Sequence, residues 1–136
     1  MIGIYAYMKN PNLYSGLLSL LPDLQADLAY AVEGYTNTYG NIWRWDILPT
    51  NTEVEAVYGT LNALIGKCNF LLERIAVLEQ EVDDEDYEKL QQFKGEALFA
   101  RALSYSDLIK MYCKAYDPAT AADELGVVCL LYTSPS

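Results

Sequence analysis

The stretch Lys94-Gly95-Glu96-Ala97-Leu98-Phe99-Ala100-Arg101-Ala102-Leu103-Ser104-Tyr105 decides the fold. It mixes small residues with large apolar ones, and residues of each kind recur three and four positions apart. That spacing is the period of an α-helix, and small residues on a helix let a second helix approach closely. We therefore predict a packed helix that continues through Leu108 and Met111 and ends before Pro118.

A second long helix is predicted before this one. Apolar residues recur at helical spacing between Val57 and Leu78, and Thr52–Glu55 has the pattern of a capping box. Asp83 or Asp84 can cap the next helix. Two long helices joined by a short acidic turn predict an antiparallel helical hairpin. The mixture of small and large residues resembles the packing of tetratricopeptide-like solenoids. The predicted fold class is therefore all-α, with tetratricopeptide-like helical hairpins.

The N-terminal part carries a shorter helical pattern followed by a loop. Asn10-Pro11 is a good helix opening, and leucines recur at spacings of three and four from Leu13 to Leu28. Pro22 falls inside this stripe and should break or kink the helix. Between residues 31 and 51 the periodicity disappears, and glycines and aromatic residues are frequent. A loop of that length in a compact domain is usually functional.

Composition argues against several classes of function. The net charge of −10 disfavours nucleic acid as a partner, because phosphates would be repelled. Histidine is absent, which removes the commonest general base and metal ligand, and no nucleophile motif stands out. The three cysteines show no CxxC spacing, and the acidic stretch 79–88 lacks the ligand alternation of a calcium loop. We therefore expect a binding protein rather than an enzyme, with no cofactor and no metal.

The two ends of the sequence look arbitrary. No apolar run reaches the roughly eighteen residues of a membrane span, and Met1 does not begin a signal peptide. Residues 129–136 break every earlier pattern and resemble the translated adapter end of a sequencing library. We therefore predict an incomplete helical region at residues 1–128 and a read-through at residues 129–136. Met1 is then expected to be an internal methionine of a longer protein.

The loop between residues 31 and 51 holds the best candidates for ligand contact. Sugar rings present an apolar C–H face that packs on indole and phenol rings, which are apolar surfaces with a polar edge. Trp43 and Trp45 are two positions apart, so in an extended segment both would point to the same side. The alternative is that one or both fill the core beneath the loop. The predicted ligand-binding residues are Trp43, Trp45, Tyr39 and Asn41, with further contacts from Tyr35, Asn37, Arg44 and Asp46.

Three further residues are assigned structural roles. Arg101 lies in the middle of the predicted helix that contains Lys94–Tyr105, with Glu96 nearby in sequence. A guanidinium group bonds carboxylates and carbonyls well, so we expect Arg101 to anchor the helix through an ion pair or a hydrogen bond. Asn69 is expected to bond a neighbouring helix or loop.

Three segments together resemble the SusD/RagB family of outer-membrane nutrient-binding lipoproteins. The resemblance covers about residues 5–128 and corresponds to the N-terminal third of a family member. The most specific segment is Lys94–Tyr105 followed by Asp107-Leu108. The other matching stretches are Tyr14-Ser15-Gly16-Leu17 with Asp27, Val57-Tyr58 with Ile65 and Asn69–Ile75, and the continuation through Tyr116–Thr120 and Leu125–Val127.

The resemblance implies a helical-repeat lipoprotein that is held by a lipid anchor at the cell outer membrane and exposed on the surface. It would bind an oligosaccharide and pass it to a TonB-dependent, SusC-like transporter without catalysis. The family's signal peptide, lipidated cysteine and C-terminal part do not appear in this sequence, so we expect an N-terminal fragment. The opposing hypothesis is a helical-repeat adaptor that binds another protein. A lipoprotein signal upstream would favour the first hypothesis.

Overall fold

A computed structural model describes residues 1–32 and 39–127, and in these residues the regular structure is entirely helical. The helices, in chain order, are α1 (Ile2–Met8), α2 (Leu17–Gln25), α3 (Gly40–Trp43), α4 (Thr52–Leu78) and α5 (Asp84–Tyr112). The predicted all-α class is confirmed. The chain forms two compact units, which we call the hairpin unit (Met1–Tyr5 and Leu61–Ser136) and the aromatic unit (Ala6–Thr60). The predicted read-through lies outside the described residues.

In the hairpin unit, α4 and α5 run antiparallel, as predicted. At the turn, the Glu79 carboxylate accepts hydrogen bonds from Lys94 Nζ at 2.7 Å and from Gln91 Nε2 at 2.6 Å. Further from the turn, Arg101 Nη1 donates to Asn69 Oδ1 at 3.0 Å. Later residues of α5 thus bond earlier residues of α4, which is the order of an antiparallel hairpin.

The start of α5 follows the predicted capping chemistry. Asp83 is the N-cap, and its side chain accepts from the amide of Asp86 at 3.2 Å. Acidic residues fill the first turn, where they interact favourably with the positive end of the helix dipole. The start of α4 differs from the prediction, since Thr52 is already helical. The carbonyl of Asn51 accepts from the amide of Glu55 at 3.0 Å, so Asn51 takes the capping position.

Three small residues of α5 lie in the core of the hairpin unit. Ala97, Ala100 and Ser104 are buried, and the Ser104 hydroxyl donates to the carbonyl of Ala100 at 2.8 Å. Cys68 of α4 is a free, fully buried thiol, and burial raises its pKa. Gly95 lies on the outer face, because a Cβ added there would meet no atom within 4 Å.

The aromatic unit begins with turns where the sequence predicts a helix. Helix α2 starts at Leu17 instead of Pro11, because several backbone amides before it donate to turn hydrogen bonds instead of helical ones. The Asn10 side chain accepts from the amide of Asn12 at 2.9 Å, and the carbonyl of Asn10 accepts from the amide of Leu13 at 2.8 Å. The carbonyl of Pro11 then accepts from the amide of Leu17 at 2.8 Å, which folds the segment back on itself.

Gly16 is required for this fold-back, because a Cβ at that position would overlap the carbonyl oxygen of Pro11. We expect Gly16→Ala to lower the free energy of unfolding by about 2 kcal/mol, since backbone atoms must move. Gly59 is the matched control, because its added Cβ would meet nothing within 4 Å on α4. Gly59→Ala should instead raise stability by about 0.5 to 1 kcal/mol. Chemical denaturation of both variants checks the pair, and equal effects would contradict the close approach at Gly16.

Helix α2 contains Pro22 and continues to Gln25, so the proline does not end it at once. The helix closes in a Schellman motif. Asp27 has a left-handed φ of 56°, the amide of Leu28 donates to the carbonyl of Asp23 at 2.9 Å, and the amide of Asp27 donates to Leu24 at 3.4 Å. Leu28 is therefore past the helix and 76% exposed, so the predicted apolar stripe is wrong at its last residue.

The left-handed residue Asp27 gives a simple test of this helix end. Alanine is normally the better helix residue, but at a positive φ its Cβ is strained while glycine is not. We therefore expect the Asp27→Gly variant to be more stable than Asp27→Ala by about 1 kcal/mol. Thermal unfolding monitored by circular dichroism measures the order of the two variants. The opposite order would mean that Asp27 continues the helix.

Candidate functional site

The predicted ligand-binding residues surround the single helical turn α3. The helix lies against α2, and its residues Gly40 and Ile42 are buried, Ile42 being 2% exposed. Asn41 is exposed and Trp43 is half-buried. This one-turn helix occupies part of the segment that the sequence predicts as a loop. The buried pair holds the turn in place, and the residues between and after it are presented outward.

Trp45 follows α3 in an unusual backbone conformation. The turn ends in a second Schellman motif, in which Trp45 has a φ of 60°. Its amide donates to the carbonyl of Ile42 at 3.1 Å, and the amide of Asp46 donates to the carbonyl of Asn41 at 2.9 Å. Glycine is the usual residue at this position, and a bulky side chain there costs about 1–2 kcal/mol. Nevertheless the Trp45 side chain is 65% exposed, so burial returns little of that cost.

Tyr39 has the same conformation at the other end of the turn. It is the N-cap of α3 with a φ of 62° and is half-buried. Three non-glycine residues have positive φ in the described residues, and the two aromatic ones, Tyr39 and Trp45, bracket α3. A bulky residue at positive φ is an outlier, and such strain is concentrated at sites that bind ligands or switch. The conformation therefore marks this turn as a candidate site independently of its composition.

The two tryptophans are not related as the sequence argument assumed. In an extended segment both side chains would point to the same side, whereas here Trp43 ends a helix and Trp45 follows its cap, Arg44. The extended conformation that would put both tryptophan side chains on one side is therefore absent at residues 43–45. Trp43 is half-buried, and Trp45 is mostly exposed. Trp45 thus offers the larger open aromatic surface of the two.

Polar groups accompany the aromatic rings. The guanidinium group of Arg44 donates from Nη2 to Asn41 Oδ1 at 3.3 Å, and both side chains are exposed. Arg44 and Asp46 carry opposite charges on either side of Trp45 in sequence. We call Tyr39, Asn41, Trp43, Arg44, Trp45 and Asp46 the aromatic platform. The other predicted contacts, Tyr35 and Asn37, lie outside the described residues.

The residues with predicted structural roles lie in the hairpin unit. Asn69 is 6% exposed and accepts the hydrogen bond from Arg101 described above. Glu96 accepts from the Tyr5 hydroxyl at 3.0 Å and from Gln92 Nε2 at 2.7 Å. The bond to Glu96 raises the pKa of Tyr5. Arg101 therefore bonds an amide on α4, while Glu96 bonds a residue of α1.

The described residues show neither a metal centre nor a membrane span. Across residues 1–32 and 39–127, histidine, cysteine and acidic side chains form no group of three or more that could hold a metal ion. In the same residues, every helix is too short or too polar to cross a bilayer. Ligand contact through aromatic and polar side chains is what the platform can offer chemically.

Comparison with known protein families decides the identity of the chain. Residues 5–130 match the family model SusD-like_3, which is described as starch-binding and associating with the outer membrane. The chain belongs to this SusD-like family. The family predicted from Lys94–Tyr105 and its companion segments is therefore confirmed. No match was found among curated proteins or solved structures.

Some features of the aromatic platform were not predicted from the sequence. The aromatic content of residues 31–51 pointed to the right segment, but the left-handed backbone at Tyr39 and Trp45 has no marker such as glycine at either position. Ile42, the aliphatic residue between Asn41 and Trp43, was the available signal for a buried contact in this segment. The Arg44–Asn41 bond could have been proposed from the three-residue spacing once helix α3 was known.

Proposed function

We propose that this SusD-like chain is the glycan-binding component of a TonB-dependent uptake system. It binds an oligosaccharide on the aromatic platform and passes it to a SusC-like transporter without catalysing a reaction. The observation that carries the proposal is Trp45, which keeps a large exposed aromatic ring at a backbone position that disfavours it. Folding alone would favour glycine there, so a role in binding accounts for the tryptophan.

The chemistry of the platform suits a sugar. The C–H face of a pyranose ring packs against indole, as other apolar groups do, and its hydroxyls need hydrogen-bonding partners. Asn41, Arg44 and Asp46 supply amide, guanidinium and carboxylate groups, Asn41 four positions before Trp45 and the other two directly beside it. The combination of one open ring and a few polar groups is typical of sites that orient a small ligand.

The cellular setting extends the family description. A SusD-like protein that associates with the outer membrane would meet extracellular glycans, and we propose a lipid anchor and surface exposure for the whole protein. The chain has a net charge of −10, and four acidic residues lie at the cap and first turn of α5. These charges repel anionic polymers. The preferred ligand is therefore a neutral glycan.

Native electrophoresis in gels that contain a polysaccharide tests this proposal. We expect the chain to be retarded by at least one of soluble starch, hydroxyethylcellulose and glycol chitin, relative to a gel without polysaccharide. Serum albumin serves as the control protein that none of them should retard. Unchanged mobility of the chain in all three gels would contradict glycan binding.

A protein adaptor is the second candidate, and exposed rings in the hairpin unit favour it. Phe70 of α4 is 59% exposed and lies beneath the Arg74 guanidinium group at 5.2 Å, while Phe99 of α5 is 67% exposed. Exposed aromatic residues of this kind are common where another protein binds. A further helix pair that packed as in tetratricopeptide repeats would cover exposed sides of α4 and α5. Binding to a protein partner with no retardation by any polysaccharide would favour the adaptor.

A further inference from the structure

Helix α3 is too short to be stable by itself. It has four residues, Gly40–Trp43, which is barely more than one helical turn. Forming the first turn of a helix is unfavourable, and an isolated helix of this length does not persist in water. Its conformation must therefore come from contacts with the rest of the aromatic unit.

Ile42 is the apolar anchor of this turn. Helix α3 buries Gly40 and Ile42, and of these two Ile42 has the side chain that can fill space in the core. Ile42 is 2% exposed, and α3 lies against α2, whose buried residues are Leu18, Leu21 and Leu24. Burial of an isoleucine side chain releases free energy comparable with the cost of a bulky residue at positive φ. Ile42 can therefore hold a strained turn in place.

Ile42 is connected to Trp45 through the backbone. Its carbonyl accepts the hydrogen bond from the Trp45 amide at 3.1 Å, and the carbonyl of its neighbour Asn41 accepts from the Asp46 amide at 2.9 Å. These two bonds close the Schellman motif in which Trp45 has a φ of 60°. A strained backbone persists only where the surrounding structure fixes it. Once the Ile42 side chain no longer fixes the turn, Trp45 is free to relax to a negative φ.

From these contacts we infer that Ile42 is a positioning residue of the glycan site. It is too deeply buried to touch a ligand, but it holds α3 so that the Trp45 ring is presented before a glycan arrives. The inference rests on the proposed function and adds that the aromatic platform is pre-formed. A side chain that only filled the core would behave differently, because its loss would lower stability and leave both the order of Trp45 and the affinity for glycan unchanged.

NMR relaxation of the Trp45 backbone amide tests the inference without a ligand. We expect an order parameter of about 0.85 in the wild-type chain, which is typical of a rigid backbone, and of less than about 0.6 in Ile42→Ala. Ile75→Ala is the matched control, because it removes the same atoms from a residue of α4 that is 1% exposed. The control should keep the wild-type order parameter at Trp45.

The affinity for glycan shows whether this order matters for binding. If the platform of Ile42→Ala is in its binding conformation about one-tenth of the time, its affinity falls about tenfold. Isothermal titration calorimetry with the tetrasaccharide of whichever polysaccharide retards the wild-type chain measures the loss. Ile75→Ala should bind as the wild type does. Ile42→Val loses less of the side chain and should show a smaller fall in both the affinity and the order parameter.

Thermal unfolding of each variant separates a local change from a loss of folded protein. If Ile42→Ala does not fold, Ile42→Val is compared with Ile75→Val, and only the first should lower the order parameter and the affinity. A folded Ile42 variant with an unchanged order parameter, or with unchanged affinity despite a lower one, would show that the inference is wrong while glycan binding stands. No retardation of the wild type in any polysaccharide gel would instead overturn the proposed function, and with it the role of Ile42 in binding.

Discussion

Replacing Trp45 with glycine should weaken glycan binding about thirtyfold, which corresponds to about 2 kcal/mol for an aromatic residue at the centre of a binding site. The ring is 65% exposed, so its removal takes away the open surface that a sugar would cover. Glycine adopts the φ of 60° without strain, so the backbone of the platform should be preserved. Calorimetry with the tetrasaccharide of whichever polysaccharide retards the wild-type chain measures the loss.

The same position separates binding from stability. We expect Trp45→Gly to be more stable than Trp45→Ala by about 1 kcal/mol, because both lose the ring and only alanine keeps a strained Cβ. Asp27→Gly makes the same backbone change at the Schellman motif of α2 without removing an aromatic ring. That control should bind glycan as the wild type does. A Trp45→Gly variant that binds normally would remove Trp45 from the site.

Loss of Arg101 should have the largest effect on folding. The Asn69 side chain that Arg101 bonds is only 6% exposed, so removal of the guanidinium group leaves a buried amide oxygen without this donor. A hydrogen bond to a charged group contributes about 1.5–3 kcal/mol, which is more than a bond between neutral groups contributes. We expect Arg101→Leu to lower the free energy of unfolding by about 3 kcal/mol. Urea denaturation followed by circular dichroism measures it.

A double-mutant cycle shows whether the effect comes from the bond itself. Asn69→Leu should also destabilise the chain, and the double variant should be more stable than the sum of the two changes predicts, by about 1 to 2 kcal/mol. Lys89→Leu is the matched control, because it removes an exposed cation from the same helix. It should change stability by less than about 0.5 kcal/mol. Additive single changes would contradict a direct role for the Asn69–Arg101 bond.

The hairpin unit was predicted well because its apolar residues recur at a regular helical spacing. The spacing of apolar residues from Val57 to Leu78 and along Lys94–Tyr105 repeats over many turns, so a single irregular residue changes little. The cap at Asp83 followed from side-chain chemistry that acts over three residues. The confirmed fold class and family both rest on this long repeated signal.

The aromatic unit was harder to predict, since individual backbone hydrogen bonds decide it. The fold-back at Pro11 depends on the absence of a Cβ at Gly16, which delays α2 until Leu17. Asp27 and Trp45 take a left-handed conformation that usually requires glycine, and neither residue type indicates it. The sequence therefore located the platform residues but not the geometry that presents Trp45.

The central claim is that this SusD-like chain binds glycan through Trp45, and one affinity electrophoresis experiment tests it most directly. Wild type, Trp45→Gly and Asp27→Gly are run side by side in native gels with soluble starch, hydroxyethylcellulose or glycol chitin, and in a gel with none. We predict that a polysaccharide retards the wild type and Asp27→Gly equally, and that Trp45→Gly migrates as it does without polysaccharide. Equal retardation of all three proteins, or of none in any gel, would contradict the claim.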